Sequence, residues 1–165
     1  MSECYCPYCM SKTDGDAPCP KCGLTEGAYQ PKPHHLPPGS LLLGRYLIGR
    51  VLGEGGFGIT YIGFDLRLEL KVAVKEYFPS NWVTRSAEQS LAVTRYTGAS
   101  GSYEHGLERF LREARTMAKV VKQREIVSVR EFFEANDTAY IVMAYVDGTT
   151  FKEVVAQRGG RTGPK

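Results

Sequence analysis

Two groups of residues in this 165-residue chain have the types and spacing to do chemistry. The first is Cys6-Pro7-Tyr8-Cys9 together with Cys19-Pro20-Lys21-Cys22-Gly23. A Cys-x-x-Cys turn presents two thiolates from one knuckle, and two knuckles complete a tetrahedral set for Zn²⁺. All five cysteines lie within the first 22 residues, whereas a disulfide framework is spread over the fold it staples. Cys6, Cys9, Cys19 and Cys22 are therefore the expected metal ligands. Cys4 is a fifth thiol that either replaces Cys6 or stands by. Four thiolates leave no open coordination position, so the expected role of the metal is structural.

The second group is Gly53-Glu54-Gly55-Gly56-Phe57-Gly58, followed by Val72-Ala73-Val74-Lys75. Glycines at G-x-G-x-x-G spacing suit a phosphate because no Cβ blocks the backbone's approach. The flanks decide which phosphate site this is. A dinucleotide fold needs a helix starting at the third glycine. Here Ile59, Thr60, Tyr61 and Ile62 follow instead, and β-branched and aromatic residues favour a strand. No G-x-x-x-x-G-K-[ST] loop occurs. What remains is a glycine hairpin between two strands.

The elements that must position these residues follow from periodicity. Residues 45–52, 59–64 and 70–76 read as strands, and a polar stretch covers 79–102. Residues 103–121 change to a helical period, with Leu107, Phe110, Leu111, Ala114, Met117, Ala118 and Val121 on one face and Ser102 as N-cap. Residues 127–134 and 139–145 read as strands joined by Ala135-Asn136-Asp137, and a short helix is expected over 150–157. The fold class is therefore α+β: a five-stranded antiparallel sheet with one packed helix. Residues 1–26 form a separate cysteine module. Residues 27–43 are proline-rich and read as a semi-rigid, partly extended linker in which His34 and His35 are solvated. Residues 44–158 form the body, with a tail at 159–165.

The cysteine module resembles a short zinc ribbon over its whole length. It has too little apolar surface to fold unaided, and metal binding would supply the difference. The stretch from Arg45 onward resembles the N-terminal lobe of a bacterial-type serine/threonine protein kinase. The kinase pattern is G-x-G-x-x-G-x-V followed by V-A-I-K. This chain has Thr60 in place of the valine, and V-A-V-K. The resemblance implies an ATP site, with Mg²⁺ in the complete protein. Gly53, Gly55, Gly56 and Gly58 would approach the phosphates, with Phe57 at the tip and Lys75 on the α- and β-phosphates. Glu113, in "FLREARTM", would pair with Lys75. Leu52, Thr60, Ala73 and Met143 would surround the adenine, with Met143 as gatekeeper. Ala144 and Val146 would bond its edge through their backbones, and Thr150 would lie near the ribose.

Phosphoryl transfer also needs the aspartates and asparagine of H-R-D-x-x-x-x-N and D-F-G, and neither motif occurs in these 165 residues. The expectation is thus an ATP-binding lobe, inactive alone, from a truncated or larger kinase whose catalytic lobe is missing here. The alternative is a non-catalytic ribbon-and-lobe interaction module with a vestigial nucleotide site. Expected partners are a protein substrate or regulator, the missing lobe, and a second copy meeting through apolar surface. A net charge of +3 argues against nucleic acid, and 42% hydrophobic with 24% charged residues argues against disorder. No apolar run reaches membrane-spanning length, and no secretory signal begins the chain; the expected location is cytoplasmic.

Overall fold

The computed structural model describes residues 4–6, 8–13, 19, 22–23, 29–88, 90–98, 100–119 and 129–145. In chain order the elements are β1 (Cys4–Tyr5), β2 (Lys12–Thr13), β3 (Leu41–Leu42), β4 (Tyr46–Glu54), β5 (Gly58–Asp65) and β6 (Leu70–Tyr77). They continue with β7 (Val83–Thr84), β8 (Thr94–Arg95), α1 (Ser100–Lys119), β9 (Val129–Ala135) and β10 (Thr138–Ala144). The main sheet has the order β3-β4-β5-β6-β10-β9 and every pairing in it is antiparallel. The helix expected over 150–157 lies outside the described residues.

The sheet has six strands among the described residues, not five. The additional strand is β3, which pairs Leu41 with Leu47 and Leu42 with Tyr46 along an edge. It turns back through Leu43 and Gly44 at φ 56° and 63°, closed by Arg45 N–H donating to the Leu42 carbonyl at 2.9 Å. A leucine in the left-handed region is uncommon, so "LLLG" carries no turn signal in the usual residue preferences. At the other end, Asn136 and Asp137 sit at φ 54° and 59° and join β9 to β10 as a two-residue hairpin. Asn and Asp tolerate that region, which is why this turn is readable.

Cross-strand partners in an antiparallel ladder point to the same side of the sheet. The pairs Thr60↔Lys75, Ile62↔Ala73 and Phe64↔Lys71 therefore define one face, joined by Ile141 and Met143 of β10. This is the lysine face. The opposite, glutamate face carries Ile59↔Glu76, Tyr61↔Val74 and Gly63↔Val72, with Tyr140 and Val142.

Each face has its own cover. On the glutamate face, Ile48, Ile59, Tyr61, Val72, Val74, Tyr140 and Val142 are fully or nearly fully buried. The proline-rich segment and the 78–97 excursion close over them. Leu36 is fully buried, and its N–H donates to Tyr61 Oη at 3.0 Å. Arg85 Nη1 donates to the His34 carbonyl at 2.7 Å, and Ala87 N–H to the Pro33 carbonyl at 3.2 Å. His35 is 5% exposed. Residues 34–36 are thus packed against the body instead of solvated, because an apolar sheet face must be buried against something. On the lysine face α1 packs beyond Lys75: Tyr77 Oη donates to the Tyr103 carbonyl at 2.9 Å, and the Tyr77 and Phe110 rings lie 5.4 Å apart. The helix begins at Ser100, ahead of the expected Ser102 cap, and buries Tyr103, Phe110 and Ala114.

Candidate functional site

The glycine hairpin joins β4 to β5 and is closed by Gly55 N–H donating to the Gly58 carbonyl at 2.9 Å. Its tip is tied to the 78–82 segment: Phe78 N–H donates to the Phe57 carbonyl at 3.0 Å and Ser80 N–H to the Gly56 carbonyl at 3.2 Å. Phe57 is itself 66% exposed, with Trp82 edge-on at 6.0 Å. A Cβ at Gly58 would lie 2.9 Å from the Glu76 carbonyl and 3.4 Å from Lys75 Cε, so packing alone requires glycine there. Gly53, Gly55 and Gly56 differ: a Cβ at each would meet open space, and none has a positive φ. Among the described residues nothing demands glycine at those three positions.

Lys75 runs beneath this hairpin, half-buried, opposite Thr60 in β5 and Ile141 in β10. Ala73 and Met143 are buried and directly paired across β6 and β10. Ala144 ends β10 against Val72, half-buried. Leu52 is half-buried, and Thr60 is 8% exposed. Val146 and Thr150 lie outside the described residues. The structure does not bring Glu113 to Lys75. Glu113 is exposed on α1, and the two make no ion pair among the described residues. The helix turns Ala114 and Phe110 into the core at this rotation, which points Glu113 outward.

Glu54, the first variable position of the hairpin, is held by residues of the proline-rich segment. His34 Nε2 lies 2.6 Å from Glu54 Oε2, and His35 Nε2 donates to Oε1 at 2.9 Å. Lys32 N–H donates to His35 Nδ1 at 3.2 Å, which leaves the ring proton on Nε2. The three side chains lie close enough to hold a cation, but His35 has no free lone pair facing Glu54. The cluster therefore works as a clamp on the hairpin. Burial pushes the His35 imidazole below its ordinary value. Burial works to raise the Glu54 carboxyl, but the bonds from His34 and His35 prevail and hold it below its usual range. Sequence reading missed this clamp because its partners are about 20 residues apart.

The cysteine module is also assembled. The Sγ atoms of Cys6, Cys9, Cys19 and Cys22 lie within 4.8 Å of one another, with Cys6–Cys22 and Cys9–Cys19 each at 3.7 Å. A disulfide needs about 2.05 Å, so no pair is bridged. A tetrahedron with Zn–S bonds of about 2.3 Å has edges of about 3.8 Å, close to the Cys6–Cys22 and Cys9–Cys19 separations. The donor set thus fits Zn²⁺ at a closed structural site. The two knuckles share one bond pattern: Met10 N–H donates to the Cys6 carbonyl at 2.9 Å, and Gly23 N–H to the Cys19 carbonyl at 2.8 Å. Both residues are left-handed, at φ 62° and 76°. Glycine takes that region freely, while a methionine there costs about 1–2 kcal/mol.

Comparison with known proteins follows the same lines. No family model matches the chain. It is 33% identical over 121 residues to the serine/threonine-protein kinase PrkC of Bacillus subtilis, an alignment covering 73% of this chain and 16% of PrkC. It is 35% identical over 127 residues to the serine/threonine-protein kinase PknB of Mycobacterium tuberculosis, covering 74% of this chain and 17% of PknB. The chain thus spans about one sixth of the length of these curated relatives. Among solved structures, the apo form of PpkA-294 matches with a TM-score of 0.65 and 33% identity, over 76% of this chain and 43% of that one. A curled antiparallel sheet with one helix, a glycine hairpin over a strand lysine and these relatives agree: about three quarters of the chain has the fold of the N-terminal lobe of bacterial serine/threonine protein kinases and is similar to it in sequence.

Proposed function

We propose that this lobe binds ATP with Mg²⁺ on its lysine face, as the small lobe of a kinase that phosphorylates protein serine or threonine. The observation that carries the reading is the pairing of Gly53, Gly55 and Gly56, which nothing among the described residues requires, with Lys75 beneath the same hairpin. Backbone without Cβ atoms admits phosphate oxygens closely, and a strand ammonium supplies a compact positive charge beneath them. Leu52, Thr60, Ala73 and Met143 form the apolar wall for the base, the backbones of Ala144 and Val146 its edge, and Thr150 the ribose contact. Phe57 closes the tip. Glu113 reaches Lys75 only if α1 rotates inward.

Bound Mg²⁺ would offset the negative charge of the phosphates. The residues that would hold it and the base for the acceptor hydroxyl are not present as H-R-D or D-F-G motifs. They belong to a second lobe in the complete kinase, and this chain by itself binds nucleotide without transferring phosphate. Zn²⁺ on Cys6, Cys9, Cys19 and Cys22 holds the N-terminal module. Leu41, Leu43, Leu66 and Leu68 are 44–56% exposed and offer apolar surface to a regulatory partner, the larger lobe or a second copy. No helix among the described residues is long and apolar enough to cross a membrane, and we assign a cytoplasmic site of action.

Calorimetric titration with MgATP tests the reading. Saturable binding weakened at least about ten-fold by Lys75→Ala is the expected result. Equal or absent binding in both would leave the non-catalytic interaction module as the reading that stands.

A further inference from the structure

We infer that the cysteine module is a metal-locked cap seated on the adenine end of the lysine face, so that it competes with the nucleotide. The inference rests on the ATP reading above, because the competing ligand is ATP.

The sheet register locates the cap. Along the lysine face the ladder runs from Thr60↔Lys75 at the phosphate end, through Ile62↔Ala73, to Phe64↔Lys71. Met10 packs on Ile62 and Phe64, and Tyr5, Leu47, Leu52 and Tyr145 pack against the same cluster. Met10 therefore lies on the register neighbour of Ala73 and groups with Leu52, two positions assigned to the base. The rings of Tyr5 and Phe64 are 4.4 Å apart, and Lys71 Nζ donates to Ser11 Oγ at 3.0 Å. The phosphate end, by contrast, keeps Gly55, Gly56 and Phe57 exposed.

The docking is built into both partners. The β4–β5 register shifts between Ile48 and Val51 and again between Val51 and Gly53. Arg50 N–H donates to the Tyr8 carbonyl at 3.2 Å and Val51 N–H to Tyr29 Oη at 2.9 Å. A Cβ at Gly49 would lie 2.9 Å from both Ile62 Cγ2 of the adjacent strand and the Tyr8 carbonyl oxygen, and 3.0 Å from Met10 Cε, so the neighbouring strand and the cap together require glycine there. On the module's side, Met10 holds the left-handed position that Gly23 fills in the other knuckle, and its side chain is 1% exposed. The knuckle needs a glycine there; the sheet contact needs a methionine. Tyr8 lies inside the Cys6–Cys9 knuckle and Met10 follows it, so the metal that shapes the knuckle also presents the cap.

The test compares the zinc-loaded full chain with Met10→Gly, which installs the residue of the sister knuckle and spares the ligands, and with Tyr29→Phe. MgATP affinity is measured by titration and docking by hydrogen exchange at the Arg50 and Val51 amides. The cap predicts that Met10→Gly keeps its zinc, exposes both amides to exchange, and binds MgATP about ten-fold more tightly, within the usual range for coupled sites. Tyr29→Phe shifts both readouts in the same direction by less. Deprotected amides with unchanged MgATP affinity would overturn the cap and leave the ATP site standing. Deprotected amides with no MgATP binding by any form would overturn the ATP site, and the competition with it. Amides protected in both variants would overturn the docking itself.

Discussion

Lys75 and Glu76 are neighbours in β6 and lie on opposite faces of the sheet. Lys75 stands in the row with Thr60, half-buried under the glycine hairpin. Glu76 is fully buried, accepting from Tyr61 Oη at 2.9 Å, from Tyr140 Oη at 2.7 Å and from Arg85 Nη2. One strand therefore separates a residue offered to a ligand from a residue committed to the core.

That separation predicts different costs. Arg85→Ala leaves the Glu76 carboxylate buried without its cation and should destabilise the lobe by about 3–5 kcal/mol. Lys75→Ala, outside that network, should change stability by less than about 1 kcal/mol. Urea denaturation of both variants checks the contrast, and similar losses for the two would contradict it.

Acid should loosen the clamp on the hairpin. His35 is held below its ordinary value by burial, and Glu54 is held below its own by the histidine bonds that outweigh its burial. Both groups take up protons more readily in the unfolded chain, so their stabilisation is complete above about pH 6.5 and is lost as the pH falls. His35 acts first, and Glu54 follows below about pH 4.5. The melting temperature should drop between about pH 7 and pH 5, with a shallower slope in His35→Gln. The same slope in both proteins would remove His35 from the account.

The strands were legible because Val, Ile and Tyr alternate around clear breaks, and Asn136-Asp137 is a turn in both residue type and geometry. The glycine hairpin ahead of a strand lysine was legible for the same reason. β3 was not, since its turn places Leu43 in a conformation that leucine rarely takes. The cover over the glutamate face was also hidden. Leu36 meets Tyr61 and His34 meets Arg85 across separations of 25 and 51 residues, and no local pattern encodes those contacts. The outward rotation of Glu113 depends on which residues of α1 the sheet accepts, which the order of motifs does not specify.

The cysteine centre should contain one metal ion per chain. Cys9→Ser or Cys22→Ser should abolish that stoichiometry in elemental analysis, because both sulfurs belong to the assembled set. Metal content unaffected by either substitution would rule out this centre.

Glu113→Ala should leave MgATP affinity within about two-fold of wild type and stability within about 0.5 kcal/mol, because Glu113 is exposed and unpaired with Lys75. A ten-fold loss of affinity would show that nucleotide draws α1 inward to form the pair.

The central claim, an ATP cradle on the lysine face, is tested most directly by amide chemical shifts recorded while MgATP is titrated into the ¹⁵N-labelled chain. The account predicts saturable shifts at Gly53, Gly55, Gly58, Thr60, Ala73 and Lys75, with Leu36 and Arg85 on the opposite face unmoved. Shifts confined to the glutamate face, or none that saturate, would contradict it.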